Sequence, residues 1–248
     1  MKPIEDSPKP EQAPPPRVSV IIPVYNQAWC IRDTVASLLV QTLRSLEVIL
    51  VDDGSTDESW AVLNNLVAEG HRTPIGIARQ SNQKPAVARN NAAECARGEY
   101  LMPLDGDDGL HPEALEHFVR ALDKDRQAGF AYSDQQLFGD ASWVERSEPW
   151  DPARLAEQNY IPVASMVRKA AFDVVGGYRP EEEHFSDYGL WLSLAEHGYH
   201  GVYVPKPLFR YRRHFQSHSL GVSPPERERL MGIVRRNHPK SFGGNGSK

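Results

Sequence analysis

Apolar residues in the first hundred positions come in short runs separated by amphipathic stretches, and the alternation is regular. VSVIIP (18–23) and LEVILVDD (46–53) are β-branched runs, one ended by Pro23 and the other by two acids, as in buried parallel strands. Between them, Trp29 to Thr42 carries Ile31, Val35, Leu38 and Leu39 at helical spacing. ESWAVLNNLVAEG predicts a second helix, PIGIAR a third strand, and EYLMPLD a fourth. PAVARNNAAECARG predicts an Ala-rich helix with Pro85 in its first turn and Gly98 at its end. Strands and helices alternating at these lengths imply an α/β fold: a Rossmann-like, mostly parallel central sheet flanked by helices, with right-handed crossovers. Beyond about residue 130 the pattern loosens. GFAYSD, IPVASMVRK, YHGVYVP and PLFRYRRH read as strands, and Asp187 to Gly198 as a helix; this half is expected to build the other wall of a cleft.

Composition narrows this picture. The 248 residues are 40% hydrophobic and 25% charged, ordinary for a globular chain, and the length suits one large α/β domain. Residues 1–17 are rich in Pro and charge and predict a disordered leader, and 18–218 form the domain. Residues 219–248 predict a C-terminal helix and a flexible tail, SFGGNGSK. A net charge of −5 without a dense basic run argues against nucleic acid as a partner. Cys30 and Cys95 both fall in helical segments, which predicts small core residues, no disulfide framework and a reducing compartment. With no signal-peptide core and no bilayer-length apolar run, the expected location is cytoplasmic, with peripheral membrane association open.

Ligands of such a sheet bind outside the carboxyl ends of its strands, and that is where the acids cluster. In EYLMPLDGDD, alternate residues of an extended segment point the same way, so Asp105 and Asp107 converge while Gly106 leaves room for a close backbone approach. Two converging carboxylates make a hard-oxygen site suited to Mg²⁺ or Mn²⁺, whose shell substrate phosphates can complete. The alternative is a polar turn before a helix starting near Pro112, with Asp108 as its cap. PVYN (23–26) and VDDGSTD (51–57) can shape a base and ribose pocket in which Asp52 or Asp53 accepts from a base N–H or a ribose hydroxyl. Asp187 is either a general base or the cap of the helix YGLWLSLAEHG. Arg210, Arg212 and Arg213 are either partners of a diphosphate or residues of a solvated edge strand.

VSVIIPVYNQ, VILVDDGSTDES, NQKPAVARNNAAECARGEYLMPLDGDD and GGYRPEEEHFSDYGLWLSLAEHGY, in that order, resemble glycosyltransferase family 2, the inverting nucleotide-sugar transferases of the GT-A fold. The likeness runs from about Val18 to His218, and it implies a nucleotide-binding half at about 18–108 and a smaller acceptor-side region, the acceptor half, at about 109–218. It implies that Pro23, Tyr25 and Asn26 line the nucleotide pocket, and that Asp52 and Asp53 contact base and ribose. It also implies that Arg89 and Asn90 lie near the diphosphate or the sheet, that Asp105 and Asp107 bind the metal with Gly106 between them, and that Asp187 is the catalytic base. His214 stands where relatives often carry a histidine that completes the metal site. The implied donor is a nucleotide-sugar, with UDP as the expected nucleotide. The implied acceptor is a glycan, a lipid-linked molecule or a small molecule. Two positions depart from the family pattern: Lys84 stands in place of the usual glycine, and Ser186 in place of the usual glutamate before the base, a role that Glu181, Glu182 or Glu183 can take over. Two rival readings follow, a non-catalytic nucleotide-binding relative and a sugar-nucleotide pyrophosphorylase. The second lacks its usual Gly- and Arg/Lys-rich loop after the first strand.

Overall fold

The computed structural model describes residues 14–214 and 223–243. Its first half follows the apolar pattern: β1 (Val18–Val24), α1 (Ile31–Leu39), β2 (Leu46–Asp52), α2 (Ser59–Ala68), β3 (Ile75–Arg79), α3 (Lys84–Cys95) and β4 (Tyr100–Pro103). Every residue of β1, β2 and β4 is buried, because helices cover both faces of the sheet. Alternation along β1 sorts the core. Val20, Ile22 and Val24 pack with Val35 and Leu38 of α1, while Ile21 joins Ile49 and Val51 against Ala86, Ala88 and Ala92 of α3. The alanines let α3 lie close to the sheet, which carries Arg89 toward the strand ends.

The second half does not make a separate layer. It contributes β5 (Gly109–Leu110), α4 (Ala114–Lys124), β6 (Ala128–Gly139), β7 (Val144–Glu145), α5 (Pro152–Glu157), β8 (Met166–Arg168), α6 (Lys169–Val175), a 3-10 turn (Pro180–Phe185), α7 (Ser186–Glu196), β9 (His200–Arg213), α8 (Pro224–Asn237) and α9 (Pro239–Phe242). Among the described residues, nine strands form one sheet in the order β3-β2-β1-β4-β8-β6-β9-β5, with β7 beside β6. β1 pairs in parallel with β2 and β4, β2 with β3, and β6 with β9, while β8, β5 and β7 pair antiparallel with their neighbours.

Several expectations change here. The two strands expected on either side of Lys206 are one strand, β9: Pro205 and Pro207 lack a ladder N–H, and the pairing with β6 shifts register around Asp134 to accommodate them. The strand expected over 161–169 shrinks to Met166–Arg168. The helix expected near Pro112 begins at Ala114, and Asp108 does not cap it. Cys95 is exposed rather than a core residue, because it sits in the last turn of α3, while Cys30 is buried. Residues 1–13 and 244–248 of the expected leader and tail lie outside the described residues, as do 215–222 at the expected domain boundary. The ends of those segments are tied down. Arg17 ion-pairs with Asp123 at 2.6 Å and Glu99 at 3.2 Å, and Ser241 donates its N–H and hydroxyl to Glu196. No helix among the described residues is long and apolar enough to cross a membrane.

Candidate active site

The carboxyl ends of β1, β2 and β4, the start of α3, the start of α7 and the end of β9 meet around a cleft of about 620 Å³. That size suits a small-molecule ligand. Pro23, Tyr25, Asn26, Asp53, Arg89, Asp105, Asp107, Asp187 and His214, widely separated in the chain, all line it.

On the β1–β2 side, Tyr25 is 48% exposed and lines the cleft, where its ring is available for stacking. Asn26 fixes the loop after β2: its Oδ1 accepts the Thr56 N–H at 2.8 Å, and its own N–H donates to Ser55 Oγ at 3.0 Å. The Asp53 carboxylate accepts from the Gln83 N–H and Gln80 Nε2, both at 2.8 Å, and so ties the loop before α3 to the end of β2. Asp52 is placed otherwise than the sequence suggested. As the last residue of β2 it points away from Asp53; it is wholly buried, ion-paired with Arg79 at 2.8 Å, and does not line the cleft. The close approach at Gly106 is made by the protein itself: a Cβ there would meet Gln27 Oε1 at 2.2 Å, and the Gly106 carbonyl accepts from Thr34 Oγ1 at 2.9 Å.

Asp105 and Asp107 converge on the cleft, each with a partner. Arg89, whose side chain is only 7% exposed, ion-pairs with Asp105 and stacks over the Tyr178 ring at 5.4 Å. His214 Nε2 lies 2.8 Å from Asp107 Oδ2. Burial, followed by the charge of Asp105, pushes the Asp107 carboxyl above its ordinary range, while the His214 bond pulls it back. Asp108 turns inward, is pushed up by burial and by Asp107 and Asp105, and accepts the Arg212 N–H at 2.8 Å. No group of three or more His, Cys, Asp or Glu side chains among the described residues is close enough to hold a metal unaided.

Asp187, half-buried in the first turn of α7, is bonded by Asn159 Nδ2 at 3.2 Å. Burial raises its carboxyl, the Tyr188 N–H and the Arg89 charge oppose that, and Asp105 raises it further. Asn90 does not line the cleft; its side chain pairs with the Tyr178 backbone at 2.8 and 2.9 Å. Nor do Arg210, Arg212 and Arg213 line it. β9 is not an edge, and Arg212 instead grips the Asp107 carbonyl at 2.7 Å and stacks on Trp29 and Phe138. Of the three neighbouring glutamates, Glu183 alone reaches the cleft, while Glu182 is wholly buried.

Sequence reasoning missed Trp29, Phe185, Tyr211 and Arg227 as lining residues, since a single aromatic or basic position on a loop, a 3-10 turn, a strand end or α8 carries no spacing signal. Backbone conformation adds another mark. Among the described residues, the non-glycine residues with positive φ are Asn26 (53°), Lys84 (77°) and Glu183 (41°), and all three line the cleft. Strain of this kind persists where the surrounding structure fixes it, commonly at functional sites.

Comparison with known proteins bears on the family and the fold. The model of the family described as glycosyl transferase family 2 matches residues 19–176. The chain is 32% identical over 187 residues to chondroitin synthase of Pasteurella multocida (strain Pm70), a match covering 74% of this chain and 19% of that one. The match to Pasteurella multocida hyaluronan synthase has the same identity and coverage, so the chain spans about a fifth of the length of these relatives. Among solved structures, S. aureus TarS 1–349 in complex with UDP-GlcNAc superposes with a TM-score of 0.74 at 19% identity, over 89% of this chain and 66% of that one. The mannosyltransferase PcManGT from Pyrobaculum calidifontis, in complex with GDP-Man and Mn²⁺, gives 0.66 at 18% identity, over 100% of this chain and 80% of that one. Asp187 and His214 lie beyond the segment that the family model matches, yet the fold delivers both to the cleft that the matched segment opens. With a GT-A fold and a family match over more than half its length, the chain belongs to glycosyl transferase family 2.

Proposed function

We propose that the protein is a metal-dependent inverting glycosyltransferase that moves a sugar from a nucleotide-sugar, with UDP as the nucleotide, to an acceptor hydroxyl in glycan or glycoconjugate biosynthesis. One observation carries this reading: a single cleft gathers Asp105, Asp107 and His214 from two strand ends, Asp187 from a helix start, and the pocket-forming loops after β1 and β2. Tyr25 and Asp53 would hold the base and ribose. Asp187 would take the acceptor proton; its burial raises its basicity, and Asn159 orients it.

The donor set fits a Mn²⁺ or Mg²⁺ ion. Asp105 and Asp107 repel each other in a partly desolvated place, and an imidazole stands within bonding distance of the second. Because the described residues offer no complete cluster, the ion would be held by Asp107 and His214 with Asp105 beside them, and the donor diphosphate would finish the shell. Such an ion would stabilise the charge of the departing nucleoside diphosphate. Arg89 would hold Asp105 in place from behind. The UDP-GlcNAc complex of the S. aureus neighbour and the GDP-Man and Mn²⁺ complex of the archaeal one make these two donors the first to try.

The test is release of nucleotide from UDP-GlcNAc and GDP-mannose with Mn²⁺, using water or added sugars as acceptors. Asp187→Asn should lose at least a hundredfold in release rate and keep UDP binding within threefold, because a missing base removes an interaction made during proton transfer. Undiminished release by that variant would remove Asp187 from the role.

A further inference from the structure

Away from the cleft, three ionisable side chains that the proposed reaction does not use lie together in the core. His238 is wholly buried between α8 and α9; its Nε2 is 3.0 Å from Glu182 Oε1 and its Nδ1 is 3.4 Å from Glu196 Oε2. Glu182 is also wholly buried, and Asn237 donates to the same Oε1 at 2.9 Å. Its other oxygen is buried without a hydrogen-bond partner and lies over Gly189, where a Cβ would come within 1.5 Å. Glu196, near the end of α7, also receives the Ser241 N–H at 2.9 Å. Burying two carboxylates is costly unless they are paired, so His238 is what makes this arrangement tolerable.

The consequence appears at the next residue. With Glu182 drawn inward, the chain must reverse at Glu183, which takes φ 41° and ψ −108°, and the side chain of Glu183 then faces the cleft. Four residues later Asp187 follows on the first turn of α7. The same docking brings α8 against the 3-10 turn, so that Arg227 lies over the Phe185 ring at 5.6 Å and joins the cleft wall.

We infer that His238 is a positioning residue: by clamping Glu182 and Glu196, the C-terminal helices hold the 182–187 segment in the strained form that presents Glu183 and Asp187 to the acceptor side of the cleft. This inference rests on the proposed transferase reading only for what Glu183 and Asp187 do; the clamp itself can be tested without it. It assigns to Glu183, rather than Glu181 or Glu182, the place left open by Ser186.

The experiment uses the full chain and three readouts: amide hydrogen exchange, UDP release from UDP-GlcNAc with Mn²⁺, and the thermal shift given by UDP with Mn²⁺. In His238→Phe, which fills the space without either nitrogen, exchange across 181–187 should quicken at least tenfold and UDP release fall at least tenfold. The UDP shift should be unchanged, because Tyr25 and Asp53 stand on β1 and β2, away from the clamp. Glu182→Gln, whose amide oxygen can still accept from His238, should keep both rates within threefold. A fourth arm covers failure of His238→Phe to fold. Glu183→Gly relieves the positive φ and should raise the melting temperature by about 2 °C in the wild-type background and not at all beside His238→Phe. Unchanged exchange in His238→Phe, exchange quickened equally in β1 to β4, or no stabilisation by Glu183→Gly in the wild type would each overturn the clamp. If wild-type protein releases no UDP or GDP from either donor, the transferase reading fails, while the exchange and melting arms still decide the inference.

Discussion

Replacing Asp105 with Ala and Arg89 with Met, singly and together, tests whether the pair at the cleft floor is built as described. The two singles should not cost the same. Arg89 has a side chain 7% exposed, under the Tyr178 ring and with its Nε buried and unpartnered, whereas Asp105 keeps 33% of its side chain open to solvent. Asp105→Ala leaves a buried guanidinium without its nearest anion, which costs about 3 kcal/mol or more. Asp187, the other anion near Arg89, keeps the figure at the low end of that range. Arg89→Met leaves a carboxylate that water can reach, costing about 1–2 kcal/mol. For a domain of this size about 1 kcal/mol corresponds to 2–4 °C, so the acid variant should melt roughly 6–12 °C lower and the arginine variant roughly 2–8 °C lower. The double variant should be less destabilised than the sum by about 1–3 kcal/mol, because neither charge is then stranded. Urea unfolding at neutral pH measures all three. An arginine variant as damaged as the acid variant, or strictly additive losses, would refute the reasoning.

Other expectations follow from the same site. Asp187 accepts a proton only when ionised, and burial lifts its carboxyl, so UDP release should rise with pH along a limb above the usual carboxylate range. Arg89→Met removes a charge that holds that carboxyl down, so its limb should move to still higher pH; a shift downward in a pH–rate profile would contradict this. Lys84→Gly relieves φ 77° and should raise the melting temperature by about 2 °C, since about 1–2 kcal/mol of strain outweighs the added freedom of glycine when unfolded. The same change removes a cation from the cleft and should weaken UDP binding by up to about fivefold, read by calorimetry; stabilisation together with tighter binding would exclude a donor-side role for Lys84.

What the sequence made legible follows from where each signal lives. The strands β1 to β4 and the helices between them are local patterns, and each lies within a few residues of the expected bounds. Asp53, Asp105 and Asp107 could be placed because strand ends and alternation fix their directions. The same alternation places Asp52 against Arg79, though the pair of acids alone does not say which of them faces the ligand. Proline suggested a break in β9, but the pairing with β6 continues past it, with the extra residues around Pro205 and Pro207 bulging out of β9 between Val204 and Phe209. Lys84 and Ser186 looked like departures from the family pattern. At Lys84 the left-handed backbone that favours glycine is nevertheless present. At Ser186, Glu183 stands nearby in the cleft. Neither outcome is encoded locally, and the Glu182–His238–Glu196 cluster joins residues more than forty positions apart.

The most direct test of the central claim is calorimetric titration of UDP into the full chain, with Mn²⁺ and with the metal chelated, for the wild type and Asp107→Ala. The account predicts binding by the wild type that weakens at least tenfold on chelation, and equally weak binding by Asp107→Ala with or without Mn²⁺. Binding by the wild type that ignores the metal, or a variant that still responds to it in full, would contradict the assignment of the cleft as a metal-assisted nucleotide-sugar site.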